Sequence, residues 1–269
     1  MKDTQIPAQY ATGVTRINIE QALVAAGKDL DRLEAADLAL LEDFHSGGRI
    51  ATYQLVDLID VTPATEVLDA GTGIGGTARY LAARFRCRVT GVDMVEEYCD
   101  TARWLNRLVG VDDRIVIRQA DVTELPFADS SFQVVFSQHV QMNVPDKDRL
   151  YREARRVTAH GGRLAVWDIV AGDGGALDYP LPWAEGPEHS HLSTPATLRT
   201  AIESAGFAVE HWADLTATTV TTMREVLALP PSPLGLHAFV PNFREKAEHL
   251  TNALADGRLR AVQAVAKAS

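Results

Sequence analysis

The stretch Val67-Leu-Asp-Ala-Gly-Thr-Gly-Ile-Gly-Gly-Thr77 constrains the fold more than any other part of this chain. An apolar run ends at an acid, alternating glycines follow, and a helical pattern begins. Residues 66–70 predict a short buried strand, and residues 77–85 predict a helix with Ala78, Leu81 and Ala82 on one face. Without side chains at Gly71, Gly73 and Gly75, a ligand can lie directly on the turn between them. The first backbone N–H groups of the following helix are unpaired and partly positive, which suits a carboxylate or a phosphate.

Two cofactor classes share that geometry. Gly71, Gly73 and Gly76 satisfy the G-x-G-x-x-G dinucleotide pattern, and Asp93 ends the next predicted strand at about the expected ~20 residues. Asp69 separates the two classes. A pyrophosphate gains nothing from a negative charge just before the turn, whereas S-adenosylmethionine (SAM) brings an ammonium and a sulfonium and no phosphate.

The segments that follow resemble, in order, the class I SAM-dependent methyltransferases. Val67 to Gly75 resembles motif I of that family, and Val89-Thr-Gly-Val-Asp93 resembles the strand whose terminal acid holds the ribose hydroxyls. Gln119-Ala-Asp-Val122 is similar to the segment that contacts adenine. Leu125-Pro-Phe-Ala-Asp-Ser-Ser-Phe132 with Val134-Val-Phe-Ser137 is similar to motif IV, and Arg156-Val-Thr-Ala-His-Gly-Gly-Arg-Leu-Ala165 to the turn into the fifth strand. The resemblance spans about half the chain. It implies SAM as cofactor, with contacts from Asp69, Gly71, Thr72, Gly73, Gly75, Asp93, Met94, Asp121, Val122 and Gln138. The fold it implies is α/β: a doubly wound, Rossmann-like, mainly parallel seven-stranded sheet with helical cap and lid insertions.

Strands expected near 66–70, 88–93, 114–119, 132–136 and 162–168 alternate with helices near 76–85, 95–109 and 147–158, as such a sheet requires. Ahead of this core (61–170), residues 1–60 read as a helical cap, with amphipathic stretches at 17–26 and 33–41 and a further helix reaching about 59. Behind it, residues 171–269 hold a Gly- and Pro-rich segment at 171–187, cap helices near 195–206, 219–229 and 241–255, and two closing strands near 207–212 and 258–266. A connection as long as 171–187 in a compact domain is usually functional. Tyr179, Leu181 and Trp183 within it suggest a substrate lid, and its aromatics offer a cation–π wall for an ammonium acceptor.

A net charge of −10 over 269 residues repels polyphosphates, so nucleic acid and anionic membranes are not expected partners, and a small-molecule acceptor is. The N-terminal Met-Lys-Asp-Thr-Gln-Ile-Pro lacks an apolar leader, and no run of eighteen apolar residues occurs, so a cytoplasmic protein is expected. Cys87 and Cys99 are too few for a disulfide framework and read as free thiols. No His/Cys/Asp/Glu cluster has ligand spacing, so no metal is expected. Oligomeric state is left open.

Three further stretches narrow the resemblance. Asp43-Phe-His-Ser-Gly-Gly-Arg49, Gln138-His-Val-Gln-Met-Asn143 and the Tyr-Pro-Leu-Pro-Trp183 segment are similar to sarcosine/dimethylglycine N-methyltransferases and to methyltransferases that decorate natural products. Sugar O-methyltransferases of antibiotic pathways share the plan but carry a His-His pair where this chain has Met142-Asn143. Methyl transfer needs the acceptor lone pair held behind the methyl group in a dry pocket, and a base only if the acceptor must lose a proton. His139, just past the fourth strand, and His45, in the cap loop, are the candidate catalytic residues; His189 and His191 follow the lid. A dinucleotide-dependent oxidoreductase and a SAM-binding protein that transfers no methyl group are the alternatives.

Overall fold

The computed structural model describes residues 10–42, 45–230 and 232–269. Seven strands form one sheet in the order β3-β2-β1-β4-β5-β7-β6. They are β1 (Glu66–Ala70), β2 (Arg88–Asp93), β3 (Ile115–Gln119), β4 (Phe132–Gln138), β5 (Thr158–Ala171), β6 (Phe207–Asp214) and β7 (Leu259–Ala268). β1 to β5 pair in parallel, and β7 runs antiparallel to β5 and β6. The chain order reverses between β1 and β4. In open parallel sheets the crevice beyond the strand ends at such a reversal is where ligands bind.

Strand pattern explains the layers. Central parallel strands are covered on both faces and read as continuous apolar runs. Leu68, Ala70, Val92 and Val135 pack on one face with the helices α6 (Lys147–Val157) and α7 (Pro195–Ser204). Val67, Val89, Val134 and Phe136 pack on the other with α3 (Gly48–Val56), α4 (Gly76–Phe85) and α5 (Glu96–Leu108). On α5 the buried side chains fall at Tyr98, Cys99, Thr101, Ala102, Trp104, Leu105 and Asn106, the spacing of one helix face.

The cap differs from expectation in one stretch. Residues 17–26 do form a helix, α1 (Thr15–Ala25), but 33–41 do not form a single amphipathic one. Short 3₁₀ turns at Leu30–Arg32 and Ala35–Leu38 precede α2 (Ala39–Glu42). Polar side chains divert the backbone: Asp29 accepts from the Asp31 N–H, Asp37 accepts from the Glu34 N–H, and Lys28 pairs with Asp37 at 2.6 Å. Such local side-chain bonds restart the chain every few residues while Leu33, Leu38 and Leu41 still reach the core.

The 171–187 segment is irregular, as its composition predicts; residues 173–176 are exposed, and its second half is packed down. Leu181, Trp183 and Ala184 are buried among residues of α8 (Thr216–Ala228), α9 (Phe243–Ala255) and β7. Ion pairs from Arg258 to Asp178 and from Lys246 to Glu185, at 2.7 and 2.6 Å, pin it further. Pro182 and Trp183 of this segment line the space beside the strand ends. No helix among the described residues is long and apolar enough to cross a membrane.

Candidate active site

A cavity of about 440 Å³ opens at the carboxyl ends of β1, β2 and β4. Asp69, Gly71, Thr72, Gly73, Asp93, Met94, Asp121, Val122, Gln138, His139 and His45 all line it, so residues spread over more than ninety sequence positions meet at one place. Gly75 does not line it. That glycine caps α4 in a left-handed conformation, and a side chain there would meet the Arg79 guanidinium at 2.8 Å. Residues 43 and 44 of the cap motif lie outside the described residues.

The glycine turn carries two distinct jobs. At Gly71 (φ +83°) the space a Cβ would take is already filled by Val140, so this glycine lets the β4 loop approach. At Gly73 (φ +54°) nothing lies within 4 Å, and that open space faces the cavity. The Gly73 N–H donates to Asp93 Oδ2 at 2.8 Å, and the Val95 N–H donates to Asp93 Oδ1 at 2.9 Å. Burial pushes the Asp93 carboxyl above the ordinary carboxylate range against the pull of those N–H groups. Burial likewise pushes Asp69 up to about 6, although the Thr72 hydroxyl donates to its Oδ2 at 2.6 Å. Both carboxylates therefore gain from a cation brought into the cavity. Asp121 accepts from the N–H and hydroxyl of Thr123, which fixes the turn after β3. An open cradle at Gly73, the buried carboxyl of Asp69 and the half-buried carboxyl of Asp93 fit a ligand carrying an ammonium and a sulfonium.

Both histidines sit in one polar network that ties the cap to the sheet. His139 is held in a left-handed conformation (φ 55°) with its N–H on the Trp167 carbonyl at 2.8 Å. Its Nε2 accepts from the Ser46 N–H at 3.3 Å and lies 2.9 Å from Ser46 Oγ. A backbone N–H can only donate, so in the neutral ring the proton sits on Nδ1. The ring is neutral, since burial and the neighbouring His45 hold it well below the ordinary imidazole range. His45 is engaged at both nitrogens: Nδ1 faces the Ser46 carbonyl at 3.4 Å, and Nε2 faces Thr52 Oγ1 at 3.0 Å and Gln138 Nε2 at 3.3 Å. Gln138 completes the chain by accepting from the Thr77 hydroxyl at 2.8 Å.

Several contributors carried no sequence signal. Glu42, on the cap, takes Arg79 and Arg49 at 2.5 Å each, and Arg79 also donates to the Ile74 carbonyl and to Asn106. Gly76 is needed here, because a Cβ would meet the Glu42 backbone carbonyl at 2.8 Å. Ser46 and Thr52 are ordinary cap residues until folding sets them against the histidines. Tyr10, Asn143 and Phe239 also line the cavity, with the Tyr10 hydroxyl donating to Asn143 Oδ1 at 3.0 Å. Trp183 lines it too, whereas Tyr179, His189 and His191 do not. His191 instead receives the Lys147 ammonium on its carbonyl and donates to the Met142 carbonyl, fastening the wall to the β4 loop.

Beneath that loop Asp168 is fully buried and accepts from the N–H groups of Val140 and Gln141. Burial lifts its pKa to about 7, against those N–H groups and the charge of Lys147. It holds the start of the segment that carries His139, Met142 and Asn143.

Residues 68–166 match the family described as "Methyltransferase domain". Over 134 residues the chain is 35% identical to Methyltransferase GfsG of Streptomyces halstedii, covering 50% of this chain and 48% of that one. Over 145 residues it is 32% identical to the sarcosine/dimethylglycine N-methyltransferase of Halorhodospira halochloris, covering 54% and 52%. The chain thus spans about half the length of these curated relatives. Among solved structures, geranyl diphosphate C-methyltransferase from Streptomyces coelicolor A3(2), in complex with Mg²⁺, geranyl-S-thiolodiphosphate and S-adenosyl-L-homocysteine, superposes with a TM-score of 0.73 at 17% identity. That superposition covers 98% of this chain and 97% of the other, and shows the shared fold.

Proposed function

We propose that this chain, whose residues 68–166 match the methyltransferase-domain family, transfers a methyl group from SAM to a small-molecule acceptor. The observation that carries this is the pairing of an open glycine cradle at Gly73 with the buried carboxyl of Asp69 and the half-buried carboxyl of Asp93 on the cavity lining. In this reading residues 1–60 are the cap, 61–170 the cofactor core, and 171–269 the wall and closing strands of a cytoplasmic enzyme that does not act on nucleic acid.

Bound SAM supplies an electrophilic methyl group on a sulfonium. Asp93 would accept from the ribose hydroxyls with the oxygen lone pairs that its backbone N–H donors leave over. Asp69 would offer its negative charge to the ammonium and sulfonium, and Asp121 and Val122 would hold the adenine. Trp183, Met142 and Phe239 exclude water from the acceptor side, where orientation alone can contribute up to roughly 7–11 kcal/mol in favourable cases.

His139 acts here as a donor from Nδ1 that orients the acceptor. Its acceptor nitrogen is taken by Ser46, and a base needs a lone pair within reach of the substrate proton. His45 and Gln138 hold the cap loop that keeps Ser46 in place. The test is a SAM-dependent screen of small amines, phenols and alcohols, followed by mass spectrometry for a product heavier by one methylene. Accumulation of S-adenosylhomocysteine together with such a product is expected. Tight SAM binding with no methylated product across the screen would favour a SAM-binding protein that transfers no methyl group.

A further inference from the structure

Lys147 is the first residue of α6, where a cation is opposed by the helix dipole. Its ammonium serves the loop before the helix instead. The N–H groups of an ammonium number three, and here they meet three backbone carbonyls, those of Gln141 and Val144 in the β4 loop and that of His191 beyond Trp183. Burial lowers the Lys147 pKa to about 8 against the charge of Asp168, a desolvation that the three carbonyls offset.

Asp168 works on the other end of the same loop. Its Oδ2 accepts from the N–H groups of Val140 and Gln141 at 3.3 and 3.2 Å, and its Oδ1 accepts from the Ile169 N–H at 3.1 Å. The buried Gln141 side chain adds a bond to the Ile169 carbonyl at 2.5 Å. An anion thus gathers N–H groups where the loop leaves β4, and a cation gathers carbonyls where it enters α6.

What lies between the two charges faces the cavity. His139, Met142 and Asn143 line it, and Val140 fills the space beside Gly71 that a Cβ would need. The His191 N–H donates to the Met142 carbonyl at 2.8 Å, and the Trp183 indole donates to Ser190 Oγ at 3.0 Å. The Lys147 bond to the His191 carbonyl therefore joins the loop to the stretch that carries Trp183. Neither Lys147 nor Asp168 lines the cavity. Their bonds set how the loop sits against the glycine turn and Trp183 without touching what binds there.

We infer that Lys147 and Asp168 are positioning residues for methyl transfer: they fix the loop that orients the acceptor over the cofactor turn, and their loss misplaces the acceptor without releasing the cofactor. This rests on the methyltransferase reading above. A shift of about 1 Å in a reacting group can cost ~10²-fold in rate, so the effect belongs in kcat.

Steady-state kinetics with the acceptor that yields most product in the screen of amines, phenols and alcohols test this, beside calorimetric titration with S-adenosylhomocysteine. Lys147→Met keeps most of the stem and removes the charge. It should lower kcat about thirtyfold, with acceptor KM changed less than about threefold and S-adenosylhomocysteine affinity within about twofold of wild type. Asp168→Asn, an isostere that still offers one acceptor oxygen, should lower kcat about tenfold with the same split, and it alone decides the question if Lys147→Met does not fold. The double variant should lose no more than about the larger single loss, because both residues act through one loop. Wild-type kcat in the folded variants, with only a lower unfolding midpoint, would make the pair structural and overturn the inference. A fall in S-adenosylhomocysteine affinity that matches the fall in kcat would overturn it too, as would losses that multiply in the double variant. Wild-type protein that binds S-adenosylhomocysteine yet yields no methylated product across the screen would instead remove the methyltransferase reading, and this inference with it.

Discussion

On one side of the cavity, Asp69, Gly71, Thr72, Gly73 and Thr77 come from a single contiguous stretch; on the other, Tyr10, His45, His139, Asn143, Trp183 and Phe239 come from segments scattered along the chain. The first side works through backbone geometry: a left-handed glycine, exposed N–H groups and carboxyls held by those N–H groups. The second works through side chains whose roles depend on neighbours distant in sequence, as Ser46 sets the tautomer of His139 from 93 positions away. On the proposed reading, changes confined to the scattered wall would alter acceptor choice and leave the glycine turn intact.

The sharpest way to break that division is Gly73→Val. A β-branched residue is strained at φ +54° and its side chain would enter open cavity space, so SAM and S-adenosylhomocysteine affinity should fall by about a hundredfold or more. Calorimetry returning wild-type affinity would move the cofactor off this turn.

Trp183→Ala probes the opposite wall. Trp183 is buried with Leu181, Ile169 and Leu250, and its indole donates to Ser190 Oγ at 3.0 Å. Removing it should cost about 3–5 kcal/mol of stability, read by denaturant unfolding, and raise the acceptor KM while SAM affinity holds. If SAM affinity fell in step with the acceptor constants, the two sides would not be separable.

A smaller effect is expected from His139→Asn. The loss in kcat/KM should be about ten- to a hundredfold, with SAM binding preserved and a ratio to wild type that stays flat between pH 6 and 8. The flatness follows from a ring held neutral well below its ordinary range. A ratio that tracks an imidazole titration would restore this residue as a base and displace Ser46 from its nitrogen.

The mildest expectation concerns pH and the cofactor side. With the Asp69 carboxyl raised to about 6 in the free protein, a bound cation favours its ionised form, so binding releases a proton below that pH. SAM affinity should therefore weaken about tenfold as pH falls from 7 to 5. Asp69→Asn should flatten the profile, and an equally steep profile in that variant would assign the titration to another group.

Legibility in the sequence followed the same division. Strands β1 and β2 and helix α4 lie where period and glycine placement put them, because a buried strand, a tight turn and an amphipathic helix each depend on a few neighbouring residues. The cavity-lining residues around the glycine turn are readable for that reason, Gly75 excepted, whose space is set by Arg79. The 33–41 stretch was misread as one helix because Asp29, Glu34 and Asp37 compete for backbone N–H groups in a way that apolar spacing does not register. Residues 171–187 have the composition of a loop, and only the packing against α8 and α9 makes them a wall.

The sequence by itself determined the order of elements, the glycine turn and the acids that flank it, since these follow from local backbone preference and hydrophobic period. Tertiary structure alone decided which nitrogen of His139 keeps its proton and why Gly76 must lack a side chain beneath Glu42. Each of those depends on atoms brought together from distant parts of the chain, and proximity of that kind is created by packing and leaves no trace in local sequence.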